Sequence, residues 1–158
     1  MHPVRERFIR GKLMPHYLEC LSNYTKINVK ESDLLSPSIS DGILKRLHQL
    51  RTQEQYHEIT PVDSFELQRI LESVFNQGEE LIIWIKDADI CGMLKIPDFR
   101  SINTSFDLCV DNNGILSIFD AGLTREVTID YSPDDDYGQT REGWIAYVTV
   151  YSELLLMR

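Results

Sequence analysis

The chain has 158 residues, 42% of them apolar and 26% charged, with a formal net charge of −9. That length suits a single domain able to bury roughly 70% of its unfolded surface, and the composition excludes a disordered chain. Uncharged apolar runs such as Leu81 to Ile85 are far too short to span a bilayer. The first residues, Met1-His2-Pro3-Val4-Arg5-Glu6-Arg7, lack the continuous apolar stretch of a signal peptide. Three cysteines, Cys20, Cys91 and Cys109, are an odd set without short spacings. They fit reduced thiols better than a disulfide framework, so the expectation is a cytoplasmic protein.

In chain order, Val4, Phe8, Ile9, Leu13, Tyr17, Leu18 and Leu21 recur at helical spacing. Pro15 removes a backbone donor inside that pattern and predicts a kink or two short helices. Ser36 to Gly42 is rich in capping residues and leads into the apolar positions Ile43, Leu44, Leu47 and Leu50, a short amphipathic helix. Thr60-Pro61-Val62-Asp63 then offers a cap, a first-turn proline and an acid for the helix dipole. Leu67, Ile70, Leu71, Val74 and Phe75 form one stripe ending near Gly78.

After Gly78 the apolar period falls to two. Leu81 to Ile85 is apolar on both alternations and reads as a central strand. Lys86 to Asp89 reads as a turn, followed by strands at Ile90 to Ile96 and Ser105 to Val110. Asp111-Asn112-Asn113-Gly114 is a turn signal, with strands at Ile115 to Phe119, Arg125 to Tyr131 and Gly143 to Tyr151. The predicted architecture is one α+β domain, residues 1–158. Residues 1–78 are mainly helical, and 79–158 form a mainly antiparallel five- or six-stranded sheet with the helices on one face.

Motifs for chemistry do not hold up. Aligning Gly114 with the invariant glycine of a calcium loop puts Cys109 where a carboxylate is needed, between strands instead of helices. Asp87 and Asp89 form a carboxylate pair, but no phosphate-cradling glycine loop accompanies them. His2, His16, His48 and His57 have no zinc-like spacing; His16 and Glu19 share one helix face without a third ligand nearby. No nucleophile elbow is present, and Cys91 and Cys109 sit in apolar, core-like runs. No catalytic, metal or cofactor site is assigned.

Charge is the informative signal. Met1 to Thr60 holds 9 Lys and Arg against 7 Asp and Glu, while Pro61 to Arg158 holds 7 against 18. An acidic field of that kind repels nucleic acid and anionic membranes and attracts basic proteins. Its densest stretch is Asp130, Tyr131, Asp134, Asp135, Asp136 and Tyr137, with Glu142 close behind. There the acids would steer and pair with Lys or Arg, and the tyrosines would supply rigid contact area. The combination is similar in type to small acidic bacterial immunity proteins, which cover the cationic surface of a cognate toxin, often a nuclease. The reading is therefore a non-enzymatic inhibitor of a basic partner. The alternative is a small divalent-metal-dependent enzyme or ligand-binding domain using Asp87, Asp89 and the Asp134 to Asp136 loop.

Overall fold

A computed structural model describes residues 3–51, 57–59, 64–105, 115–133 and 144–152, with side chains described for 3–50, 66–105 and 115–130. The class is α+β: helices dominate the N-terminal half and antiparallel strands follow. Helix α1 spans Pro3–Tyr24, and Met14, Tyr17, Leu21 and Tyr24 form its buried stripe. It stays helical through Pro15, so of the two outcomes expected from that proline, a kink or two short helices, the second does not occur. Packing of the stripe outweighs the single lost backbone bond.

Helix α2, Pro37–Arg51, is entered through Ser36, whose Oγ accepts from Ile39 N at 3.2 Å, a local cap. Helix α3, Ser64–Val74, buries Leu67 and Leu71, and Phe75 continues the stripe just past its end. Arg125 closes this helix from the sheet: its Nη1 donates to Val74 O at 3.0 Å, and its guanidinium lies 5.8 Å from the Phe75 ring centre.

The strands are β1 (His57–Ile59), β2 (Leu81–Ile85), β3 (Leu94–Ile96), β4 (Ile115–Asp120), β5 (Arg125–Pro133) and β6 (Trp144–Ser152). Their order is β1-β6-β5-β4-β2-β3, every neighbouring pair antiparallel. The consecutive run β4-β5-β6 is a meander, with the β2–β3 hairpin set beside β4. One alternation carries Leu81, Ile83, Ile85, Leu94, Ile96, Leu116, Ile118, Val127 and Ile129, all buried. On the other, Ile82 and Phe119 are buried, whereas Thr128 is half-buried and Asp130 exposed.

The segment after β2 departs from the sequence reading. Asp87 takes a left-handed conformation and Ala88–Cys91 forms a one-turn helix, α4, so the next strand begins at Leu94 instead of Ile90. Gly92 makes this possible. At φ 104° it lies against Leu35, whose carbonyl oxygen would be 2.1 Å from an added Cβ. Leu35 N bonds Met93 O at 2.9 Å, and Ser40 Oγ accepts from Met93 N at 2.8 Å, tying the α2 entrance to this strand. Of the strand expected at Ser105 to Val110, Ser105 lies in a turn, and the remainder, like the turn expected at Asp111 to Gly114, lies outside the described residues.

Candidate interaction surface

Asp120 organises the β4–β5 turn. Its Oδ1 accepts from Thr124 N at 2.8 Å and Arg125 N at 2.9 Å, and its Oδ2 accepts from Thr124 Oγ1 at 2.6 Å. Local acceptance of backbone donors by an Asp side chain is what fixes such turns. Arg125 Nη2 then bonds Glu79 and reaches Asp120 Oδ2 at 3.3 Å. Nearby, Asp98 accepts from Gly78 N at 3.0 Å and from Arg100 N, Nε and Nη2 at 2.8, 2.8 and 2.6 Å. The Arg100 bonds hold the Asp98 carboxyl down at about 2, from 3.8. Lys95 completes the group with Glu80 at 3.1 Å.

These ion pairs share one end of the sheet, because Leu81 is opposite both Ile96 and Asp120. Register places Asp130 at the other end, opposite Ile115 on one side and Tyr147 on the other. Its side chain is exposed and makes no ion pair with a described residue. Lys86, exposed just after β2, is equally unengaged among the described residues. Between the two ends runs a polar column: Thr128 Oγ1 bonds Glu126 Oε1 at 2.8 Å and meets Ser117 Oγ at 3.1 Å across the strands.

Of the predicted partner-binding residues, Asp130 and the backbone of Tyr131 are therefore placed on β5, Tyr131 opposite Ala146. The ladder continues to Pro133 opposite Trp144, about 10 Å beyond Asp130 along an extended chain. Asp134, Asp135, Asp136, Tyr137 and Glu142 lie outside the described residues.

The alternative metal ligands Asp87 and Asp89 flank the start of α4, and among the described residues no three His, Cys, Asp or Glu side chains form a cluster able to hold a metal ion. Cys91 is fully buried, and burial with the nearby Asp87 pushes its thiol up to about 11. Burial likewise raises the Tyr17 hydroxyl, with Cys91 and Asp87 adding to the effect; that hydroxyl donates to Gly92 O. His16 Nδ1 lies 3.9 Å from Glu19 Oε2, and its other ring nitrogen lies 3.4 Å from Cys20 Sγ. Cys20 is only 3% exposed, so this thiol is packed inward.

Sequence reasoning missed the roles of Asp98, Asp120 and Arg125. The available signal was local for two of them: Asp98 precedes Arg100 by two residues, and Asp120 opens the turn-forming stretch Ala121-Gly122. Arg125 meets Val74 and Glu79 only through the fold. Among the described residues no helix is long and apolar enough to cross a membrane. Compared with family models, curated proteins and solved structures, the chain matches none.

Proposed function

We propose that this chain is a non-enzymatic, acidic protein-binding domain of the immunity type. It would neutralise a basic, nuclease-like toxin by covering the cationic surface that substrate phosphates would otherwise occupy. The observation that supports this reading is the separation of paired from unpaired charge. Lys95, Arg100 and Arg125 are committed to Glu80, Asp98, Glu79 and Asp120 at one end of the sheet. Asp130, at the other end, is exposed and leads within four residues into Asp134-Asp135-Asp136. Acids gathered in one stretch of sequence speed encounter with a basic partner and select against acidic ones.

The test is capture of the partner from lysate with the full chain, then association rates across a salt series. The expected partner is basic. Its on-rate should fall about tenfold or more from low to physiological salt, and the fall should be smaller for a chain carrying Asp134→Asn, Asp135→Asn and Asp136→Asn. A neutral or acidic partner, or a rate indifferent to salt, would overturn the reading.

A further inference from the structure

The helices hold a feature that the acidic run Asp130 to Glu142 does not explain. A half-open cleft of about 380 Å³ lies between the first turns of α1, the entrance of α2, and α4. Its charged lining is Glu6, Arg7, Arg10 and Asp89, and Ile9 and Ile90 are among its apolar lining. Pro3 and Pro37, the first residues of α1 and α2, also line it, so the positive ends of two long helices meet there. This volume falls in the range of small-ligand sites, which pair apolar walls with a few placed polar groups.

The charges around the cleft are not spent on one another. Glu6, Arg7 and Asp89 line the same space, yet none forms an ion pair with another or with any described residue. Arg10 reaches Glu31 at 3.6 Å, while its Nε is buried with no hydrogen-bond partner among the described residues. Two arginines three apart on α1 share a helix face and suit a carboxylate, which accepts from a guanidinium in fork geometry. Two carboxylates on the same lining disfavour a multiply charged anion such as a phosphate and favour a ligand that also carries a cation.

We infer that this cleft is a binding site for a small zwitterion, an α-amino acid with an aliphatic side chain. The ligand carboxylate is held by Arg7 and Arg10, its ammonium by Glu6 and Asp89, and its side chain by Ile9 and Ile90. The site involves no residue of the acidic run Asp130 to Glu142, so its fate and that of the toxin-binding reading are decided separately.

L-leucine is the probe, titrated calorimetrically into the full chain. Isovalerate, which lacks the ammonium, and isopentylamine, which lacks the carboxylate, are parallel arms. Leucine should bind saturably and more tightly than either. Arg7→Gln and Asp89→Asn, both at exposed positions, should each weaken leucine roughly tenfold or more. Asp89→Asn should also erase the preference for leucine over isovalerate, and Arg7→Gln the preference over isopentylamine. The inference is overturned by any one of three outcomes on folded protein: no saturable leucine binding, isovalerate or isopentylamine binding as tightly as leucine to the parent chain, or both variants binding like the parent.

Discussion

Gly92 shows how much a single position decides. It follows the one turn of α4, at a φ of 104° that side chains rarely adopt, and its Cα faces the Leu35 carbonyl. The same residue's carbonyl takes the Tyr17 hydroxyl, so α1, the α2 entrance and the β2–β3 connection converge there. Alanine at this site meets both backbone strain and a direct clash, each worth about 1–3 kcal/mol. Gly92→Ala should therefore destabilise the fold by about 3 kcal/mol, a drop of roughly 10 °C in Tm for a chain this long. Gly78 is the control: its φ of 74° carries strain, but an added Cβ has nothing within 4 Å, so alanine there should cost clearly less. Equal losses at the two glycines, read by thermal melting, would show that the Leu35 contact is not the cause.

At the scale of elements, α1 is stable despite its sequence. Pro15 withholds an N–H from the Gly11 carbonyl, and Gly11 itself lowers helix propensity. Pro15 is exposed, and a Cβ at Gly11 has nothing within 4 Å. Pro15→Ala should restore a helix bond worth up to about 3 kcal/mol, less about 1 kcal/mol for the looser unfolded chain, a net gain of roughly 2 kcal/mol. Gly11→Ala should add about 0.5–1 kcal/mol. Urea unfolding of the two variants checks both, and a Pro15→Ala chain no more stable than its parent would mean that α1 relies on the ring. The elements legible in the sequence were those whose burial is periodic. The Leu67–Leu71–Phe75 stripe and the doubly buried run Leu81 to Ile85 are stated outright by their residues. The α4 turn and the late start of β3 were not legible, because they depend on Asp87 and Gly92 adopting positive φ against Leu35. The three-residue strand His57–Ile59 has no period to read; pairing with Val148, Thr149 and Val150 defines it.

For the whole molecule, the sequence states how much negative charge the second half carries, but only strand register says where it is compensated. Glu79, Glu80, Asp98 and Asp120 meet their cations at one end, from partners up to 46 residues apart for Glu79 and Arg125. Asp130 was legible as part of an acidic run, whereas its separation from those pairs was not. That separation predicts opposite responses to two neutralising substitutions. Asp130→Asn removes an exposed charge that repels the rest of a chain at −9. It should therefore stabilise slightly at ~0.01 M salt, with the gain vanishing near ~1 M, where screening shortens to about 3 Å. Asp98→Asn removes an acceptor held by Arg100 and Gly78 and should destabilise at either salt concentration. The pH dependence of the Asp98 effect has a fixed sign. The carboxyl titrates at about 2 in the folded chain against 3.8 when free, so its charge stabilises fully above pH 3.8. That contribution fades as pH falls toward about 2. Parent and Asp98→Asn should thus differ in urea stability at neutral pH and converge in acid. If Asp130→Asn instead destabilises at low salt, Asp130 is already neutralised within the chain, and the acidic end of the sheet is not a free surface for a basic partner.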